Sequence, residues 1–147
     1  MMTRTQGLVL VGVTLLAPIP TTARAQSKWR EQVTEQVDHA AKLLKERGYS
    51  KTDIFDGSLD HDASGSLTLS LRAGRQYALL GVCDVDCNDL DLRLYGLNDI
   101  EIESDVEEDD VPVIMITPER DGKFRLKITM VECETSPCFY GVGLFVK

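Results

Sequence analysis

Five oxygen-bearing side chains in one short segment are the part of the sequence best suited to chemistry. Residues 84–91 contain four aspartates and one asparagine: Asp84, Asp86, Asn88, Asp89 and Asp91. Calcium takes roughly six to eight oxygen ligands, so this density favours a divalent-cation site. The segment lacks the glycine and the terminal glutamate of an EF-hand loop, which excludes that particular loop.

A second acidic segment, residues 105–110, follows shortly afterwards and contains Asp105, Glu107, Glu108, Asp109 and Asp110. If the fold brings both segments together, the predicted calcium ligands are Asp84, Asp86, Asp89, Asp91 and Asp105. The alternative is that both segments are solvated loops in which Asp89 or Asp91 caps backbone amides where a strand begins. The sequence leaves both interpretations open.

The four cysteines predict two disulfides: Cys83, Cys87, Cys133 and Cys138 form two closely spaced pairs. Each pair brackets a predicted hairpin loop, which favours the local pairing Cys83–Cys87 and Cys133–Cys138, and cross-linking between the two loops is the alternative. The spacing does not match the C-x2-C pattern of a structural zinc site.

Catalytic residues are not indicated. The two histidines are His39, on a predicted helix, and His61, in a segment that also contains Asp60 and Ser64. Adjacent residues in a Gly/Ser-rich loop cannot adopt the geometry of a Ser-His-Asp triad, and Ser64 lacks the G-x-S-x-G turn. We therefore predict a non-enzymatic protein, with a small carboxylate-based hydrolase as the weaker alternative.

The first 25 residues contain, in order, the basic, apolar and cleavage-site regions of a secretory signal. Arg4 precedes the apolar stretch 7–17, and Ala23-Arg24-Ala25 places small residues at a cleavage site. The stretch is too short to span a bilayer, and no cysteine lies near it for lipid attachment. We expect an exported product without stable membrane insertion after cleavage, either periplasmic or secreted.

The charge of the chain narrows the classes of partner. The formal net charge is −8, and both arginines of the predicted signal would be lost on cleavage. Such an acidic chain is not expected to bind nucleic acid or an anionic membrane, because both attract basic proteins.

One helix and a connector are predicted before the main domain. An apolar stripe with helical spacing occupies residues 26–48 and contains Trp29, Val33, Val37, Ala40, Ala41 and Leu44. Ser27 is the predicted N-cap, and Gly48 is the predicted C-terminal glycine. Residues 49–64, rich in Asp, Ser and Gly, are predicted to be a connector. Trp29 is expected to pack against the following domain. Core packing is also the favoured interpretation of Phe139, Tyr140 and Phe145, and Tyr140 is the best candidate for the alternative, an exposed aromatic contact.

From residue 65 to residue 147 the pattern becomes alternating and predicts about seven strands: 66–71, 76–82, 89–95, 100–104, 113–117, 123–131 and 139–146. Short strands with turns at this spacing are typical of an antiparallel β-sandwich, here mainly β and jelly-roll-like.

Within this pattern, several short motifs resemble the bacterial pre-peptidase C-terminal (PPC) domain family. They are Gly74-x-x-Tyr77, Asp89-Leu90-Asp91-Leu92, Asp105, Gly122-Lys123-Phe124 and Tyr140-Gly141, and the resemblance covers about residues 57–147. It implies a jelly-roll sandwich without catalytic residues that helps secretion, targeting or substrate binding, and some related modules bind calcium. The sequence departs from the family pattern because only a signal-like segment and a helix precede the sandwich.

Together these features predict a non-catalytic exported binding or accessory module of the cell envelope. It is expected either to have no cofactor or to bind calcium. Its expected partner is an envelope or extracellular protein or polysaccharide. The main alternative is a calcium-dependent structural module with no separate ligand.

Overall fold

The computed structural model describes residues 21–147, with side chains from residue 28 onward. The predicted signal peptide, residues 1–25, therefore lies outside the described residues except for its last five positions, which belong to the helix. No helix among the described residues is both long and apolar enough to cross a membrane.

The helix α1 spans Thr21–Glu46. Val33, Val37 and Leu44 of the predicted stripe are buried, and Ala40 and Ala41 are partly buried against them. The helix ends at Glu46, and the predicted C-terminal glycine, Gly48, follows in the turn with a φ of 87°, which is unfavourable for side chains with a Cβ. The prediction of Ser27 as the N-cap, and of residue 26 as the start of the helix, was wrong because helical hydrogen bonding begins earlier, at Thr21.

Eight strands follow, in two antiparallel four-stranded sheets, so the mainly β sandwich is confirmed. Their bounds are β1 Ser50–Leu59, β2 Ala63–Leu71, β3 Tyr77–Cys83, β4 Cys87–Tyr95, β5 Glu101–Asp105, β6 Val113–Ile116, β7 Gly122–Cys133 and β8 Cys138–Val146. Each of the seven predicted strands is present, with shifted ends.

The prediction that residues 49–64 form a connector was wrong. Most of it forms β1, which pairs along its length with β8, and its last two residues begin β2. The strand is polar because it lies at a sheet edge and is mostly exposed, with only Ile54, Phe55 and Leu59 packed partly against the two cores. Backbone pairing, which does not depend on side-chain polarity, stabilises it.

The strand order is that of an eight-stranded jelly roll. One sheet has the order β1-β8-β3-β6 and the other β2-β7-β4-β5. Distant strands therefore pair around the central hairpin β4–β5, which places β5 and β6 side by side at one open edge of the sandwich.

Two apolar cores hold the sheets and the helix together. The larger lies between the sheets and includes Leu90, Leu92 and Leu94 of β4 and Phe124, Leu126, Ile128 and Met130 of β7, all on the faces predicted from alternation. The smaller lies between α1 and the outer face of the first sheet, where Ala78, Leu80 and Val82 of β3 meet Val33 and Val37. Strand β3 is therefore buried on both faces.

Both disulfides are present in the favoured local pairing, Cys83–Cys87 and Cys133–Cys138. The first closes the β3–β4 turn and the second closes the β7–β8 turn. Cys87 also pairs with Cys133 across β4 and β7, so the two bridges lie next to each other at one end of the sandwich.

Candidate functional site

Asp84, the first aspartate of the β3–β4 turn, has a structural role. Asp84 is 3% exposed, and its carboxylate accepts hydrogen bonds from the backbone N–H of Phe139 (2.8 Å) and of Asp86 (3.3 Å). Its own backbone N–H donates to the carbonyl of Phe139. Burial raises the pKa of Asp84, although these hydrogen bonds act in the opposite direction. The carboxylate thus ties the turn to β8.

Asp105 has a similar structural role at the open edge. It lies at the end of β5, and its Oδ2 accepts a hydrogen bond from the backbone N–H of Val113 in β6, at 2.7 Å. Since β5 and β6 belong to different sheets, this carboxylate links the two sheets where no backbone pairing joins them.

Asp89 and Asp91 have a different environment. They alternate with the buried leucines of β4, so they lie on the outer face of the second sheet. Asp89 Oδ1 is inaccessible to solvent and has no hydrogen-bond partner. Desolvation by burial raises the pKa of Asp89 most, and four neighbouring carboxylates, those of Asp91, Glu108, Glu132 and Asp109, raise it further. We call Asp89 and these four residues the acidic surface.

The fold assembles the acidic surface from three places in the chain. A register shift in the β4–β7 ladder aligns Asp89 with Glu132, and directly opposed like charges destabilise a sheet. The β5–β6 loop is held against β4 because the backbone N–H of Leu90 donates to the carbonyl of Asp109, at 2.9 Å. The two acidic segments of the sequence therefore meet, as the calcium hypothesis required.

Positive charge compensates one side of this surface only. Burial raises the pKa of Asp91, Asp105 raises it further, and Arg93 and Lys127 lower it in part. The nearest guanidinium nitrogen of Arg93 is 3.9 Å from Asp91 Oδ2. Every charge that shifts the pKa of Asp89, in contrast, is negative.

The five predicted calcium ligands do not form a common centre. Asp84 and Asp105 bond backbone amides, while Asp86 lies in the turn and Asp89 and Asp91 on the sheet. Among the described residues, no group of three or more His, Cys, Asp or Glu side chains is arranged to hold a metal ion. Calcium binding stays a prediction.

Most of the exposed large apolar side chains lie in one segment of the chain. Of the eight large apolar side chains that are exposed in the described part of the chain, six fall between residues 97 and 115: Leu97, Ile100, Ile102, Val106, Val111 and Met115. They belong to the β4–β5 turn, β5, the β5–β6 loop and β6. We call these six residues the apolar edge. Of these six, Val106 and Val111 share the β5–β6 loop with Glu108 and Asp109 of the acidic surface.

The aromatic candidates have structural positions. Trp29 stacks on Phe139 with ring centroids 6.3 Å apart, which confirms that it packs between the helix and the sandwich. Tyr140 packs in the core, as the favoured interpretation predicted, and the exposed alternative was wrong: it is only 8% exposed, and its ring packs against Gly57, where an added Cβ would meet the tyrosine hydroxyl.

His61 also has a structural partner, since its Nδ1 accepts a hydrogen bond from the backbone N–H of Cys133 at 3.2 Å. Ser64 is bonded elsewhere, to the hydroxyl of Thr129. His61 and Ser64 therefore have separate partners in the fold.

Sequence reasoning missed Glu132 and the apolar edge. Glu132 faces Asp89 only because of the register shift, and nothing in the local sequence indicates such a shift. The apolar edge had a signal, since residues 97–115 contain more isoleucine and valine than an exposed segment needs, but no binding role was predicted for them.

Comparison with known proteins gives little further information. No protein-family model matches the sequence, so the resemblance to the PPC family stays a prediction. No curated protein matches it. Among solved structures, the chain is similar to PliG from Aeromonas hydrophila, a periplasmic inhibitor of g-type lysozyme. The identity is 10%, the TM-score is 0.49, and the alignment covers 65% of this chain and 85% of PliG. A similarity of this size does not identify a shared function.

Proposed function

We propose that this protein is an exported, non-catalytic module that binds a basic protein partner through the acidic surface and through exposed side chains of the apolar edge. The observation that carries the proposal is the buried Oδ1 of Asp89, which has no hydrogen-bond donor and is surrounded by four other carboxylates. A buried acceptor without a donor costs roughly 1–3 kcal/mol, and neighbouring like charges add to that cost. A cationic partner that contacts the exposed carboxylates of Glu108 and Glu132 would reduce the like-charge repulsion.

A protein is favoured as the partner because of the apolar edge. Protein interfaces combine an apolar centre with a polar or charged rim, and isolated cations or simple charged polymers do not need exposed isoleucine and valine. Six such side chains are exposed between residues 97 and 115, and two of them, Val106 and Val111, share the β5–β6 loop with Glu108 and Asp109. Charge complementarity would accelerate association, and apolar burial would slow dissociation.

Export is supported by the signal-like residues 1–25 and by the two disulfides, which persist in oxidising compartments. The non-catalytic character is supported by the structural partners of Asp84, Asp105 and His61. Each of these potential acid–base groups already binds a backbone amide.

The test compares two variants of equal charge. In the first, three carboxylates of the acidic surface are neutralised, Asp89→Asn, Glu108→Gln and Glu132→Gln. In the second, three exposed carboxylates elsewhere are neutralised, Glu31→Gln, Glu46→Gln and Glu119→Gln. Each immobilised protein is incubated with envelope and culture-supernatant proteins of the organism that encodes it, and the bound proteins are identified and quantified.

We expect the wild type and the second variant to retain the same basic protein. The first variant should lose roughly tenfold or more of that retention, because three interfacial charges of about 0.5–1 kcal/mol each are removed. Retention should also fall with added salt. Equal losses of retention in both variants would show that binding depends only on the net charge of the chain. Equal retention by all three proteins would refute the proposal.

A further inference from the structure

The outer face of the second sheet differs in charge from the rest of the chain along the neighbouring strands β2 and β7. The chain carries 24 acidic and 16 basic residues, yet the outward positions of residues 64–70 and 123–129 contain no acidic side chain. They contain hydroxyls on β2 and mainly cations on β7. The helix packs on the first sheet instead, and the hydroxyls of β2 are exposed to solvent.

The strand register places each of these cations beside a hydroxyl. Three pairs lie directly opposite each other: Ser70 and Lys123, Thr68 and Arg125, and Ser66 and Lys127. Successive pairs on one face are two residues apart, which is about 6.7 Å along a strand. The face therefore presents the same pair of groups, a cation and a hydroxyl, three times at a regular interval.

The positive charge is least compensated at one end of this face. Arg125 is paired with Asp99, and Lys127 lowers the pKa of Asp91 in part. Three cations at the start of β7 and just beyond β2 form no ion pair with any described residue: Lys123, Arg72 and Arg75. This end lies opposite the acidic surface, since Glu132 is at the other end of β7.

A cleft of about 300 Å³ opens at the same end, between the edge strands β1 and β2. Its lining combines cationic, hydroxyl and apolar residues: Arg72, Arg75, Thr52, Ser70, Leu144 and Val146. Asp53 is the only acidic residue among the described residues that line it. The cleft therefore carries more positive than negative charge, in a chain whose formal net charge is −8.

This combination of groups fits an acidic sugar. A sugar presents hydroxyls and apolar C–H groups, which match the hydroxyl and apolar lining, and its carboxylate matches the guanidinium groups of Arg72 and Arg75. Single-stranded nucleic acid would instead need exposed aromatic rings on which its bases stack. Tyr95 of this face is already covered by Arg125, whose guanidinium carbon is 4.0 Å from the ring centroid.

We infer that this end of the sandwich binds an acidic polysaccharide. One sugar carboxylate would lie in the cleft at Arg72 and Arg75, and the chain would continue along the cations and hydroxyls of β7 and β2. The inference does not depend on the proposed function, because it concerns a different ligand at the opposite end of the second sheet from the acidic surface.

Two oligosaccharides that differ only in charge test the inference: tetragalacturonic acid and its fully methyl-esterified form. Each is titrated into the full chain at pH 7 and low salt, and the backbone amide signals are followed by nuclear magnetic resonance. We expect the acid to bind roughly tenfold more tightly, because the ester keeps the hydroxyls and loses the carboxylates. The signals of Thr52, Ser70 and Lys123 should shift, and those of Asp89 should not.

Two double variants with the same change in charge provide the control. Arg75→Gln with Lys123→Gln removes two of the uncompensated cations, one from the cleft and one from the face. Lys28→Gln with Lys42→Gln removes two exposed lysines from the helix. The acid should bind roughly tenfold more weakly to the first variant, and within about twofold of the wild type to the second.

Each other outcome overturns the inference. Equal binding of the acid and the ester, or no shift with either, would show that the cations do not select an acidic sugar. Equal losses in both variants would show that only the net charge matters. An octathymidylate that binds as tightly as the acid and shifts the same signals would show that the face accepts any polyanion. None of these outcomes bears on the acidic surface, which is tested by its own variants.

Discussion

Asp84 and Asp89 belong to the same short acidic segment, yet the fold treats them in opposite ways. Asp84 is almost wholly buried, and both of its carboxylate oxygens accept hydrogen bonds from backbone amides. Asp89 has one oxygen that is inaccessible to solvent, without a donor and near four carboxylates. The comparison teaches that a carboxylate satisfied by backbone amides stabilises the fold, whereas one left without a donor among like charges lowers its stability.

Removing the carboxylate of Asp84 should have the largest effect. Asp84→Ala leaves the backbone N–H of Phe139 without its acceptor in a buried turn, so we expect a loss of about 2–3 kcal/mol in the free energy of unfolding. Urea denaturation of the disulfide-intact protein measures it.

The matched control for Asp84 is Asp86→Ala, which removes the same charge from the same turn. No hydrogen bond of the Asp86 side chain is present in the described structure, so this variant should change the free energy of unfolding by less than about 0.5 kcal/mol. Equal effects of the two substitutions would show that Asp84 acts through charge alone.

Neutralising Asp89 should have the opposite sign. Asp89→Asn removes a desolvated charge from among four carboxylates, so we expect the free energy of unfolding at pH 7 to rise by about 0.5–1 kcal/mol. Glu119→Gln, at an exposed site outside the acidic surface, serves as the control and should leave stability nearly unchanged. The same Asp89→Asn protein should bind the basic partner more weakly.

The pH dependence of this difference identifies its cause. Burial and the neighbouring carboxylates raise the pKa of Asp89 above its ordinary 3.8, so between the two values the folded protein binds more protons than the unfolded chain. The contribution of Asp89 to stability therefore falls as pH rises through this window, and the full cost is present at pH 7. The advantage of Asp89→Asn should fade as the pH is lowered towards 3.8. An advantage that persists at low pH would indicate a packing effect instead.

The sequence predicted the strands more completely than it predicted the site. Alternation identified seven strands because β4 and β7 bury one face each, with leucine, isoleucine and methionine at every second position. It missed β1 because an edge strand with both faces largely exposed needs no alternation: Ile54 and Phe55 are adjacent and contact different cores.

The sequence predicted which residue types make up the site, but not how the fold arranges them. The calcium hypothesis depended on the two acidic segments meeting, and the β5–β6 loop does bring Asp109 to β4. The separate roles of Asp84 and Asp89 depend on which amides lie near each carboxylate, and the place of Glu132 depends on a register shift. Both are properties of long-range strand pairing, and local sequence does not encode them.

Adding calcium should have the smallest effect on stability. The experiment distinguishes whether the carboxylates of the acidic surface bind a metal ion or a basic protein. Since no group of described carboxylates is arranged around a common centre, we expect calcium to act only by screening. Millimolar calcium should then raise the melting temperature no more than magnesium does, and no more than sodium chloride of equal ionic strength. A rise specific to calcium that disappears in Asp89→Asn but persists in Glu119→Gln would contradict this expectation. It would show that the acidic surface rearranges into a metal site, and the same carboxylates would then be occupied before a basic partner could reach them.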